Sequence, residues 1–364
     1  MNPFVYQGPV RPDQLIDRAD ELDRLQRAAA DRVNVRLAAP RRYGKSSLLG
    51  AHLAAMRAVG HRVVLVDLFR VATVADVAYR VMAAYGELPG GAGPLADLSR
   101  RLGVTLGPAG ITVQVGPRGA RETLGVEQAR AILLEVLALP EQLYAGDRTL
   151  TVVAFDEFQD LLTADDKLDG LFRSVLQHHD RSAAYIYAGS RPSLLREMFA
   201  AHERPFFGQA RPLALPPLPG PETHAELAAR FASAGVEPGD ALADVVAVGE
   251  GHPQRTMLLA HLLYNVLADG GERVDAAAAA LDLALEETSD VHQAIWMSLA
   301  RAERAVVVAL ADGLAPTGPI AAAQHATPRT TLKSTLDRLA AEQQVLTEAG
   351  RLLDPLFAEW LRRR

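Results

Sequence analysis

The chain has 364 residues, 49% hydrophobic and 23% charged, with a formal net charge of −6 and no cysteine. That apolar content suffices for two or three buried cores, disulfides and thiolate metal sites are excluded, and the acidic balance excludes a protein that coats nucleic acid over its whole surface. The start Met1-Asn2-Pro3-Phe4 lacks a basic-then-apolar leader and no apolar run approaches the ~18 residues of a membrane span, so a cytoplasmic protein with no membrane partner is expected.

In chain order, a Pro-containing extended lead precedes an amphipathic helix over Ile16 to Ala30. Arg32 to Leu37 alternates apolar and polar residues as a strand, and Ser46 to Ala58 is an Ala/Leu-rich helix. Between them lies Ala39-Pro40-Arg41-Arg42-Tyr43-Gly44-Lys45-Ser46-Ser47, a strand–loop–helix run of the kind that cradles phosphate. Gly44 permits a tight turn, so consecutive N–H groups and the positive end of the helix face an anion. Lys45 then reaches the β- and γ-phosphates, Ser46 offers its hydroxyl to Mg²⁺, and Ser47 adds a donor toward the α-phosphate. Ala39 stands where the usual pattern has its first Gly, so that position must do without a positive φ.

Arg62 to Leu68 reads as a strand, Val74 to Tyr85 as a helix, and Gly90 to Pro94 as a break. Val104-Thr105-Leu106 and Ile111 to Val115 flank Gly107 to Gly110 as an inserted β-hairpin. A helix over Val126 to Leu139 leads to the apolar strand Thr149 to Phe155, which ends in Asp156-Glu157-Phe158-Gln159-Asp160. Alone this is a strand with an acidic helix cap. Paired with the upstream loop it is a second phosphate-site element, with Asp156 in the Mg²⁺ shell and Glu157 orienting or deprotonating the attacking water. A helix over Asp166 to His179 and strands Ala183 to Ala188 and Leu213 to Leu215 complete an alternating α/β pattern, which implies a parallel sheet with ligands at the strands' carboxyl ends. Ser190 follows the penultimate strand, either as a sensor of the γ-phosphate or as a helix cap. Arg181 and Arg204 are the arginines best placed to act on a neighbour's γ-phosphate, against the reading of solvated helix-end charges.

Pro216 to Pro221 is a stiff connector. Beyond it helices over Glu222 to Ser233, Asp240 to Val248, Pro253 to Leu267 and Ala276 to Glu287 form a lid, with Gly251-His252-Pro253 close to a nucleotide or a plain helix–helix turn. Arg301 to Arg364 reads as a winged helix: Glu303 to Leu310, Ile320 to Gln324, Pro328 to Ala341, then a hairpin from Val345-Leu346-Thr347 and Arg351-Leu352-Leu353. A DNA-binding version presents Arg329, Lys333 and Arg338, although this unit's positive balance is weak.

Taken together, Pro40 to Ser46, the apolar strand into Asp156-Glu157-Phe158-Gln159, Gly189-Ser190, Gly251-His252-Pro253, the lead Asp17 to Leu22 and the ending Asp354 to Trp360 resemble the archaeal-type ATPases of the AAA+/STAND P-loop group, MNS-like members included. The resemblance implies a P-loop AAA+-type parallel-sheet core over 1–219, a helical lid over 220–290 and a winged-helix domain over 291–364. It further implies ATP/ADP and Mg²⁺ as cofactors, with Ile16 and Asp17 at the adenine and Pro40, Arg41, Arg42 and Tyr43 in the phosphate loop. Ser190 takes the sensor-1 position, and His252-Pro253 replaces the usual sensor-2 arginine, a role open also to Arg255. Gln209 stands where relatives often carry an arginine. Two functions follow: a slow, assembly-dependent ATP hydrolase acting as a homo-oligomeric ring or helix, or an ADP/ATP-gated switch in which ADP holds core, lid and winged helix closed and ATP exchange frees them to bind a protein or DNA partner. A small-molecule kinase is the third, with little sequence left for a substrate pocket.

Overall fold

The computed structural model describes residues 2–364 apart from 89–91, 108–109, 116–119, 271, 326, 328–329, 342–344 and 348. A 3₁₀ turn, Pro12–Gln14, precedes α1 (Ala19–Ala30). This helix starts later than expected because Asp17 is left-handed, φ 44°, and cannot continue a right-handed helix. Then come β1 (Val35–Ala38), α2 (Lys45–Ala58), β2 (Arg62–Asp67) and α3 (Val74–Gly86). Next are α4 (Ala92–Leu102), β3 (Val104–Gly107), β4 (Gly110–Val115) and β5 (Ala120–Thr123). The chain returns through α5 (Val126–Leu137), α6 (Leu139–Asp147), β6 (Thr151–Asp156), α7 (Leu161–Ala164), α8 (Leu168–Leu176), β7 (Ala183–Gly189), α9 (Pro192–Ala200) and β8 (Arg211–Ala214).

Five strands form one sheet in the order β2-β6-β7-β1-β8, parallel throughout. The central β6 and β7 are covered on both faces, which is why they read as unbroken apolar runs. Alternation divides the side chains between two layers. Val64, Val66, Val153, Phe155, Tyr185 and Tyr187 enter one core with α3, α5 and α8, while Val63, Val152, Ala154, Ile186 and Leu37 enter the other with α1 and α2.

The insertion departs from the expected hairpin. β3 and β4 pair antiparallel as read, but β5 adds a third strand, and α4 takes up Ala92 to Pro94 of the break read over Gly90 to Pro94, whose first two residues lie outside the described ones. Pro94 falls in the first turn of α4, where a missing N–H costs nothing. Pro140 likewise divides the expected Val126 to Leu139 helix by starting α6.

The lid consists of α10 (Gly220–Ser233), α11 (Ala241–Gly249), α12 (Pro253–Ala268) and α13 (Arg273–Ser298). α13 runs unbroken through residue 290, so the boundary read there falls inside a helix. Its Ala276 to Leu285 stretch packs in the lid core and its Ile295 and Trp296 on the C-terminal core. The lead also belongs to the lid by contact: Phe4 and Ile16 are buried in the lid core, with the Phe4 and Phe231 rings 4.5 Å apart. The C-terminal unit comprises α14 (Arg301–Ala311), α15 (Pro319–His325), α16 (Leu332–Ala341), a wing bridged at Leu346 and Leu352, and α17 (Pro355–Arg362). This winged-helix arrangement packs α16 against α9 of the sheet domain. Among the described residues no helix is long and apolar enough to cross a membrane.

The turn that aims α12 depends on Gly251. Its φ is +73°, and a Cβ there would lie 2.4 Å from the carbonyl oxygen of Leu218, whose N–H donates to Gly251 at 2.8 Å. Gly251→Ala should therefore destabilise the protein by about 1–3 kcal/mol, read as a lower urea midpoint with an unchanged slope.

Candidate functional site

Because the sheet is parallel, the ends of β1, β6 and β7 deliver their following residues to one edge, and Ala38 lies opposite Gly189. Ala39 continues β1, fully buried, with its N–H donating to the Gly189 carbonyl at 3.3 Å and no positive φ. The left-handed turn falls instead on Arg42, φ 67°, and on Gly44, φ 85°, which stands at the N-terminus of α2. Lys45, buried at the start of that helix, donates to Asp156 and, at 2.6 Å, to Glu157. The Ser46 hydroxyl lies 3.3 Å from the other Asp156 oxygen. Ser47 is tied elsewhere: its hydroxyl accepts the Val10 N–H at 3.0 Å and so fastens the lead to the loop.

Glu157 is left-handed, φ 54°, a strained conformation that turns its carboxylate back over the loop. One carboxylate oxygen accepts the Ser190 N–H at 3.1 Å, the Ser190 hydroxyl at 2.8 Å and the Gln159 amide at 2.6 Å. Burial raises its pKa, but the Lys45 ammonium and the hydrogen bonds from Lys45, Gln159 and Ser190 outweigh burial and bring it to about 2. It is a carboxylate at any physiological pH. A hydroxyl and a carboxylate at Ser46 and Asp156 are hard oxygen donors of the kind Mg²⁺ takes alongside phosphates and water.

These groups face a cavity of about 740 Å³, a size that suits a nucleotide. Pro40, Arg41, Arg42, Tyr43, Gly44, Ser46 and Ser47 line it with Lys45, Glu157 and Ser190, as do Ile16 and Pro253. Asp17 does not line it. Its left-handed turn, φ 44°, redirects the chain into α1. His252 is also set back: it is buried, caps α12 by accepting the Arg255 N–H at 3.3 Å, and meets the Tyr43 ring edge-on at 5.0 Å. It therefore acts on the loop through Tyr43. Arg204 is paired with Asp169 and Glu197, each at 3.5 Å, and does not line the cavity. Arg181 is exposed beside the amino end of β7, at the opposite edge of the sheet from Ser190, and does not line the cavity. Gln209 donates to the Phe207 carbonyl at 3.3 Å.

Two parts of the wall, the lead and Phe69, were missing from the sequence reading, and the third, Arg255, was read only as an alternative to His252-Pro253. The lead from Val5 to Val10 forms one side, and Tyr6 donates from there to Glu287 of α13 at 2.9 Å. Phe69 after β2 also contributes. Arg255 lines the cavity but is held by Asp354, just before α17, at 2.9 and 3.0 Å, while His292 of α13 lies 3.4 Å from the same carboxylate. Burial raises the Asp354 pKa; His292 and Arg255 reverse this and hold it well below the usual carboxylate range. The Pro-rich lead signalled extended chain, but nothing local marks a contact spanning 99 residues.

In the C-terminal unit Arg329 lies outside the described residues, Arg338 is paired with Glu303 at 2.6 Å, and Lys333 is exposed. Of the three expected cations, the described residues thus leave Lys333 exposed and Arg338 paired.

The sheet order and the loop between β1 and α2 together give a P-loop fold of the AAA+ type. Among solved structures, the Walker-type ATPase PABY2304 of Pyrococcus abyssi matches 99% of this chain and 99% of its own, at 20% identity and a TM-score of 0.67. The ORC2 protein of Aeropyrum pernix, in ADPNP–ADP complexes, matches 100% of this chain and 97% of its own, at 16% identity and 0.60. Its ADP form gives 98% and 96%, 16% identity and 0.54. No protein-family model and no curated protein matches. At these identities the likeness establishes the fold, and the resemblance to archaeal P-loop ATPases holds at that level.

Two buried histidines set the acid response. Burial lowers both His52, in α2 behind the loop, and His252 to about 4, so both are neutral when folded. Below about pH 6.5 the unfolded chain takes up protons that these rings refuse, so their contribution is complete above that pH and declines as pH falls toward 4. Urea titrations should show a loss of about 1–2 kcal/mol per ring between pH 7 and pH 5, and His52→Leu should flatten that dependence.

Proposed function

We propose that this chain binds ATP with Mg²⁺ and hydrolyses it, and that nucleotide state governs the closure of its lid and C-terminal unit. The observation that carries the reading is the convergence of the Lys45 ammonium, the Ser46 hydroxyl and the Asp156 and Glu157 carboxylates at one end of a nucleotide-sized cavity. With a triphosphate bound, Lys45 exchanges its carboxylate partners for β- and γ-phosphate oxygens, and the N–H groups at the start of α2 hold the same anion. Ser46 and Asp156 would hold Mg²⁺, which supplies charge neutralisation of the phosphates. Glu157, fixed by Ser190, accepts the proton of the attacking water or orients it. Pro253 and Ile16 close the base side, and the adenine nucleotides in the A. pernix neighbour favour ATP and ADP over other nucleotides.

Slow turnover in a switch of STAND type is favoured by one contact. Arg255, the remaining candidate for a cation at the γ-phosphate, is already occupied by Asp354 of the C-terminal unit. Reaching the phosphate requires that this pair open, so ADP suits the closed form and ATP the open one. Self-assembly into a homo-oligomer would supply Arg181 to a neighbour's site. Partner protein is the output favoured over DNA, since Arg338 is engaged by Glu303 and α16 packs on α9.

Lys45→Ala should abolish nucleotide binding measured by calorimetry with Mg²⁺. Glu157→Gln should bind ATP as the parent does and lose roughly 10²–10⁴-fold in turnover; parental turnover in Glu157→Gln would reject its catalytic assignment. Asp354→Asn should release ADP faster and shift the ATP/ADP preference toward ATP by roughly 5–150-fold, followed with a fluorescent ADP analogue. An unchanged preference would remove the gating.

A further inference from the structure

Resting on the reading of Glu157 as the group that acts on the attacking water, we infer that Gln159 is its positioning residue and that Gly189 is the clearance that lets it act. Gln159 is 1% exposed and does not line the cavity, so it touches no nucleotide. Its amide nitrogen donates to Glu157 Oε2 at 2.6 Å and to Asp160 Oδ1 at 3.2 Å. Both neighbours are carboxylates and would repel an amide oxygen, so chemistry fixes which end of the amide faces them. Asp160 is itself fixed, accepting the Arg70 N–H at 2.9 Å and pairing with Arg191 at 2.7 Å.

The amide oxygen consequently turns toward β7, where it is buried without a donor among the described residues. A Cβ on Gly189 would lie 2.1 Å from it. Packing alone does not call for an amide here, because a methionine or leucine fills such a space without an unpaired oxygen. What the amide adds is a third donor on Oε2, beside the two from Ser190. The two oxygens of Glu157 are thereby given different tasks. Oε1 faces Lys45 at 2.6 Å and is freed when a phosphate draws that ammonium away. Oε2 stays anchored by Gln159 and Ser190, so the carboxylate keeps its plane and presents Oε1 to water.

The test uses the full chain, with Gln159→Leu and Gly189→Ala compared against the parent. Gln159→Leu removes the donor; Gly189→Ala expels the amide from the opposite side and leaves Gln159 in the sequence. Steady-state ATP hydrolysis and the equilibrium affinity for Mg²⁺-ATP are measured for each. Both variants should lose roughly 10–100-fold in kcat with affinity within about twofold. A folded Gln159→Leu protein with the parent's kcat overturns the assignment, and so does a parallel fall of kcat and affinity, which marks a purely structural role. If Gln159→Leu does not fold, Gly189→Ala alone decides on the same criteria. A parent that hydrolyses no ATP overturns the ATPase reading and this one together, whereas an active parent matched by its variants overturns this one alone.

Discussion

One buried charge organises the active edge of this molecule. The Lys45 ammonium is largely out of solvent and must be paired, since an isolated ammonium in such a place costs several kcal/mol or more. Asp156 and Glu157 pair it, and they stand there because β6 ends one strand away from β7 and two from β1, with every strand running the same way. A parallel sheet makes this convergence automatic. Glu157 then adopts a left-handed backbone to bring its carboxylate over the loop, and Ser190 and Gln159 hold it there. The strain is tolerated because four hydrogen bonds over-determine the side chain.

A second buried charge organises the opposite wall. Arg255 on α12, His292 on α13 and Asp354 before α17 meet around one carboxylate, which also caps α17 by accepting the Leu356 N–H at 3.0 Å. Three segments distant in sequence are thus joined beside the cavity. Removing one partner would leave the others charged and buried, a larger penalty than the pair's own net worth. Under the proposed function such a contact would open when a better partner for Arg255 is on offer, and a γ-phosphate is one.

Much of the sheet domain was legible because its signals are local. A glycine followed by lysine and serine between strand and helix, and an apolar strand ending in two carboxylates, each carry their own geometry, and the strands fell where alternation or apolar runs put them. Errors arose where a local signal had a second use. Gly90 to Pro94 announced a break, but proline is as much at home in the first turn of α4. Asp17 lies beside Ile16 in sequence, but only Ile16 of the two lines the cavity. α13 was read as ending near Glu287 because its apolar positions change sides there, from the lid core to the C-terminal core, and a change of face resembles an end. The lead from Val5 to Val10 was invisible as a wall because its anchor is Phe4 in a core made more than two hundred residues later.

The two charged knots constrain the ligand more tightly than either does alone. Between them the cavity presents Lys45 and Arg255 as cations already neutralised by three carboxylates, Asp156, Glu157 and Asp354. A polyphosphate entering this space adds several negative charges at once, so it gains little by exchanging one anionic partner for another unless the displaced carboxylates are themselves satisfied. On the β6 side a divalent cation does this, because Asp156 and the adjacent Ser46 hydroxyl are its natural ligands. On the lid side His292 lies 3.4 Å from Asp354 and stays beside it when Arg255 turns away. Under the proposed function the asymmetry follows from the residues: metal dependence would belong to the strand edge, and conformational response to the lid.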